Sequence, residues 1–312
     1  MSIWQKMCAL ELLSLTLVLS ACASSQLPFQ EGAPLKATLQ PTETTASPAE
    51  TDNTPSPEAS KEPRHCGEQS GRLVEDSYSL ANGAVSAPFL AYLPPCYEQD
   101  ALAYPVGIFL HGYPLDEGHW IDLGTVETYE GLLAAGAIDP MVLIFPYQPE
   151  PYFTQTDGGP SSLEQVLLED LEAAVESRYR VSTQASKRAI LGVSRGGVWS
   201  LEIGMRHPDN FNIVAALSPA LSYNHPRVAY DPFDIARTAE RVPDCILISS
   251  GDREPQFSDE IDRFAETLER SGVDFIYLQH EGRHENSAWQ TILERVLLFV
   301  AKGIREIPNG CS

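Results

Sequence analysis

The stretch RAILGVSRGGVWSLEIGMRHP, residues 188–208, decides the fold. Its opening, RAILGV, is a short continuous apolar run of strand type. Its second half, GGVWSLEIGMRH, reads as a helix that Pro208 ends. Between the two sits Gly192-Val193-Ser194-Arg195-Gly196. A strand that turns straight into a helix leaves no space for Cβ atoms on either side of the turn, so both flanking positions need glycine. Such a turn lifts the serine hydroxyl above the sheet and places a helix N-terminus under it, where developing negative charge is stabilised. Ser194 is therefore the candidate nucleophile.

The same alternation extends outward. PFLAYLP (88–94), YPVGIFLH (104–111) and MVLIFP (141–146) read as strands, as do NIVAALS (212–218), CILISS (245–250) and DFIYLQH (274–280). Helices are expected over 162–179 behind a Ser cap, over 258–272 with Ser258 as N-cap, and over 286–303. Strand and helix alternate through the second half, which predicts an α/β fold with a mostly parallel central sheet and helices on both faces. In such sheets, ligands bind at the carboxyl ends of the strands. Catalytic residues should follow strands, and Ser194 does.

A serine hydroxyl needs a base, and the base needs an orienting acid. After Ser194, His207 closes a helix and His225 lies in an irregular stretch. His280 and His284 both follow the last strand, and His284, in the loop EGRHEN, is placed to reach over a nucleophile. It is the preferred base. The acid should follow the preceding strand, in CILISSGDREP: Asp252 is the choice and Glu254 the alternative. An oxyanion hole needs two backbone N–H groups, expected from Arg195 and from Tyr113 after the run VGIFLHG. His111 reads as a scaffold residue bonding that loop. Tyr152 and Phe153, in the loop after 141–146, and Tyr223 and Tyr230, in the loop after 212–218, are candidate substrate contacts, as is Trp289 beyond His284.

The rest of the chain bounds the setting. The 312 residues carry a net charge of −22, of which 22–63 hold −4 and 64–312 hold −18. A domain so acidic is a poor partner for nucleic acid. Residues 1–21 resemble an export signal with an apolar core too short to span a bilayer, ending in LSAC. That ending suggests lipidation at Cys22 and a lipid anchor in the cell envelope, with an ordinary secretory signal as the alternative. Residues 22–63, rich in Pro, Thr, Ser and Glu, read as a disordered linker, and 64–312 as the folded domain. For an exported chain the preferred disulfides are Cys66–Cys96, joining the domain's start to its second strand, and Cys245–Cys311, pinning the tail to a core strand. A buried free thiol is the other reading of Cys245. No zinc-type spacing is present, and neither metal nor cofactor is expected.

Taken together, YLPPCYEQDALAYPVGIFLHGYPLDEGHWIDLG (92–124), SRYRVSTQASKRAILGVSRGG (177–197), SSGDRE (249–254) and EGRHENSAWQ (281–290) resemble the esterase family of α/β-hydrolases. That family holds esterase D, the enterochelin, feruloyl and acetyl-xylan esterases and the mycolyltransferases. The resemblance runs from about 72 to 303 and implies Ser194, Asp252 and His284 as nucleophile, acid and base. Arg195 stands where many relatives carry Met and is expected to place a positive charge at the pocket rim. The expected activity is cofactor-free hydrolysis of a small-molecule or carbohydrate ester. The alternatives are acyl transfer of the mycolyltransferase kind, or a non-catalytic envelope binding protein on a retained hydrolase fold.

Overall fold

The computed structural model describes residues 67–80, 85–99, 101–150, 157–223, 225–305 and 311. All of them belong to one compact unit, Lys61–Ser312. Cys22, Cys66, Tyr152 and Phe153 lie outside the described residues.

An eight-stranded sheet runs in the order β1-β2-β4-β3-β5-β6-β7-β8. The strands are β1 (Arg72–Leu80), β2 (Val85–Leu93), β3 (Val106–Leu110), β4 (Val142–Pro146), β5 (Arg188–Val193), β6 (Ile213–Leu217), β7 (Cys245–Gly251) and β8 (Ile276–His280). β1 and β2 pair antiparallel, β2 meets β4 antiparallel, and the remaining pairs are parallel. β3 to β7 are buried along their whole length, which is why they read as unbroken apolar runs.

Alternation within those strands feeds two cores. Ile190, Val214 and Ile246 face a layer containing α5 (Arg195–Arg206), α6 (Pro232–Thr238) and α7 (Pro255–Arg270), through Leu201, Ile235 and Phe264. Ala189, Leu191 and Leu247 face the opposite layer, containing α2 (Thr125–Ala134) and α9 (Leu293–Arg305), through Tyr129, Val296 and Val300. The period of two along each strand thus serves both faces. The helix predicted behind Ser162 is present, but it is not uniform. Ser162 accepts from Gln165 N, and α3 (Leu163–Gln165) passes through a π-helical turn (Val166–Leu171) into α4 (Glu172–Arg178).

Cys245 and Cys311 form a disulfide, their Cα atoms 5.1 Å apart, so the tail is tied to the first residue of β7. Among the described residues, no helix is long and apolar enough to cross a membrane.

Candidate active site

β5 ends at Val193, and α5 begins at Arg195. Ser194 alone makes the turn, with φ 55° and ψ −117°, a left-handed backbone that a non-glycine residue rarely adopts. Hydrogen bonds hold it there: its N–H donates to Leu217 O at 2.8 Å, and its carbonyl accepts from Ala220 N at 3.0 Å. The flanking glycines are sterically required. A Cβ on Gly192 would lie 2.0 Å from Gly196 O, and one on Gly196 would lie 2.4 Å from Leu110 O.

The described histidine of the loop after β8 meets this serine. His284 Nε2 lies 2.7 Å from Ser194 Oγ. Its Nδ1 lies 2.8 Å from Glu254 Oε2. With the carboxylate as acceptor, Nδ1 carries the proton and Nε2 is free to accept from the serine hydroxyl. His280, the other candidate, bonds the carbonyl of Glu281 instead.

The acid is where the sequence reading needs correction. Asp252 was preferred, but its carboxylate accepts from Gly282 N at 2.8 Å and lies 3.4 Å from Arg253, more than half exposed. Glu254 is fully buried under His284. The cause is the start of α7. Sequence placed the N-cap at Ser258, whereas Pro255 opens the helix and Glu254 is the cap. The β7–α7 turn is therefore only three residues long, and its last residue points inward. Glu254 Oε1 accepts from Gly251 N at 2.6 Å and from Ser218 Oγ at 2.7 Å, and Ser218 in turn accepts from Trp289 Nε1 at 3.1 Å. Ser218, which follows β6 and was not singled out, holds the Glu254 carboxylate in place.

Trp289 also departs from expectation. It is buried rather than lining a substrate surface, and it meets the His284 ring edge-on at 5.0 Å. Phe257 stacks on that ring at 3.8 Å. Tyr223 is exposed and packs on Phe257 at 5.5 Å. Tyr230 lies between Arg206 and Arg227 and serves the loop's own packing. The Arg195 side chain is not at a rim: it is buried and lies over Trp199 at 5.8 Å.

The oxyanion-side loop follows β3. The Gly112 carbonyl accepts from Leu115 N at 2.9 Å and pairs with His111 Nδ1 at 3.0 Å. His111 Nε2 accepts from Gln148 N at 3.1 Å, so the ring proton sits on Nδ1 and is donated to Gly112. Burial holds this imidazole neutral, its pKa lowered to about 4. Fixing the Gly112 carbonyl fixes the Tyr113 N–H, which points the opposite way across the same planar peptide. Gly112 borders Ser194, since a Cβ built on it would sit 3.4 Å from Ser194 Cβ. A cavity of about 690 Å³ opens beside His284, lined by Asp252, Arg253, Gln256, Arg283 and Glu285.

Further along α5, Glu202 is fully buried. Burial, and then the negative charge of Glu164, raise its pKa to about 9. Burial works against ionisation of Glu164 too, but bonds from His207, Gly159 N and Arg206 outweigh it and hold that carboxyl below its usual range. Among the described residues, no cluster of His, Cys, Asp and Glu is arranged to hold a metal ion.

A mostly parallel eight-stranded sheet, helices on both faces and a serine on a tight strand-to-helix turn define the α/β-hydrolase fold. Residues 86–300 match the family described as "Putative esterase", and the chain belongs to that family. It is 26% identical over 198 residues to an endo-1,4-beta-xylanase/feruloyl esterase of Xylanibacter ruminicola, across 62% of this chain and 26% of that protein. It is 25% identical over 151 residues to the ferri-bacillibactin esterase BesA of Bacillus subtilis, across 46% of this chain and 52% of that protein. The chain thus spans about a quarter and about half of the lengths of these two relatives. A solved ferulic acid esterase superposes with a TM-score of 0.67 at 21% identity, covering 76% of this chain and 99% of that one.

Proposed function

We propose that the protein is a serine esterase that cleaves carboxylic esters through an acyl-enzyme on Ser194. The observation that carries this reading is the hydrogen-bonded chain Ser194–His284–Glu254, set on a tight strand-to-helix turn. Ser194 Oγ attacks the ester carbonyl while His284 Nε2 takes its proton. The oxygen that becomes negative is met by the N–H groups of Arg195 and Tyr113. His284 then gives the proton to the leaving alcohol. Water repeats the sequence on the acyl-enzyme and releases the acid. Glu254 holds the Nδ1–H tautomer and balances the imidazolium.

The substrate class rests on the aromatic row Tyr223–Phe257–His284, whose histidine meets Ser194, which suits a flat acyl group such as the feruloyl group in the relatives' names. Tyr152 and Phe153, which follow the 141–146 run in sequence, are retained as candidates. Export and lipidation of Cys22 complete the reading, supported by the LSAC boundary.

Hydrolysis of p-nitrophenyl acetate and of methyl ferulate, by the wild type beside Ser194→Ala, tests the proposal. Turnover that the substitution abolishes is the expected result. Equal turnover by both proteins would sink the assignment of Ser194.

A further inference from the structure

We infer that His119 is a positioning residue that ties the oxyanion loop to the loop carrying the base. His119 opens α1 (His119–Asp122) and is almost fully buried. Its Nδ1 accepts the Gly112 N–H at 3.2 Å. Its Nε2 lies 3.0 Å from Asn286 Oδ1. Asn286 begins α8 (Asn286–Gln290), two residues beyond His284. One imidazole thus joins two segments 167 residues apart in sequence, each carrying part of the reacting machinery.

The chemistry fixes one state of the ring. A backbone N–H can only donate, so Nδ1 must be bare. The single ring proton sits on Nε2 and is donated to the Asn286 carbonyl oxygen. Burial favours this neutral form, lowering the pKa of His119. Without the ring, the Gly112 N–H is a buried donor with no acceptor, and the loop gains reason to rotate. Gly112 is the residue whose carbonyl orients the Tyr113 N–H. With His119 on its N–H side and His111 and Leu115 on its carbonyl side, Gly112 is held at both ends. A displaced Tyr113 N–H weakens the transition state and leaves ground-state binding alone, so kcat should fall and KM should not.

The inference rests on Ser194 being the nucleophile, and the experiment separates the two. Full-length wild type, His119→Asn and His119→Gln are compared by kcat, KM, thermal midpoint and rate of labelling by a fluorophosphonate, whose phosphoryl oxygen uses the same hole. Asn places its amide oxygen near the Nδ1 position and keeps the Gly112 bond. Gln reaches the Nε2 position and keeps only the Asn286 bond. Expected is a loss of a few-fold for His119→Asn, which breaks only the Asn286 bond, and of about 10- to 100-fold for His119→Gln, with unchanged KM and slower labelling. Asn286→Ala should lose activity in the same direction but by less. Equal kcat in the Asn and Gln variants, or losses that track the thermal midpoint alone, would overturn the positioning role. A wild type that takes no label would instead overturn the nucleophile assignment.

Discussion

Glu254 and Asp252 sit two residues apart, yet their carboxylates have different neighbours. One is buried and bonded by a histidine, a serine hydroxyl and a backbone N–H; the other is exposed on a loop N–H. Glu254→Gln keeps the shape but can present an N–H to His284, favouring the wrong tautomer. It should cut kcat on p-nitrophenyl acetate by about 10³- to 10⁴-fold, whereas Asp252→Asn should stay within about threefold. Comparable losses in both would return the acid role to Asp252. The serine and histidine that meet at 2.7 Å were legible in the sequence, because glycine spacing and strand order constrain them tightly. The acid was not, because the choice between two carboxylates hangs on where a helix begins. Ser218 and His119 were invisible for another reason. Their roles come from contacts across 36 and 167 residues, and no local pattern marks them.

Elements were read well where an apolar run marks them, as in β2 to β8, and were missed where none does. β1 escaped because it is an edge strand exposed along most of its length, with only Tyr78 and Leu80 buried. α2 escaped because Gly124, in a left-handed turn, precedes it without any side-chain cap to announce it. α6 lies inside what read as an irregular loop, although Asp231 caps it by accepting from Phe233 N at 2.9 Å. The β5–α5 turn is the element that tolerates least. Gly196→Ala would drive a Cβ into the backbone at the end of β3 and should cost about 3 kcal/mol or more. Gly131→Ala, in exposed helix with nothing within 4 Å of the new Cβ, should gain about 0.5–1 kcal/mol. Urea denaturation of the two variants checks the contrast, and a stable, active Gly196→Ala would refute the steric account of the motif.

At the scale of the whole molecule, the buried Glu202 makes stability depend on pH. Its carboxyl is neutral in the fold up to about 9, while in the unfolded chain it ionises near 4.5. Between those values the native state holds one proton more than the unfolded state, so this group's contribution falls as pH rises. Glu202→Gln removes the effect, and its stability advantage over wild type should widen by on the order of 1 kcal/mol per pH unit between pH 5 and 8. Parallel thermal curves at both pH values would contradict this. The strand order has a further outcome. Ser194, Ser218, Glu254 and His284 follow β5, β6, β7 and β8, and Gly112 follows β3, so these residues of the candidate site lie along one edge of five adjacent strands. The opposite edge carries connections such as Ser271–Gly272, where Gly272 has open space around it. A short tag inserted after Gly272 should leave turnover on p-nitrophenyl acetate within about twofold, while the same insert after Gly282 should abolish it. The molecule therefore has a natural handle: attached to a bead or electrode through that rear edge, it would present its chemistry outward to whatever flows past.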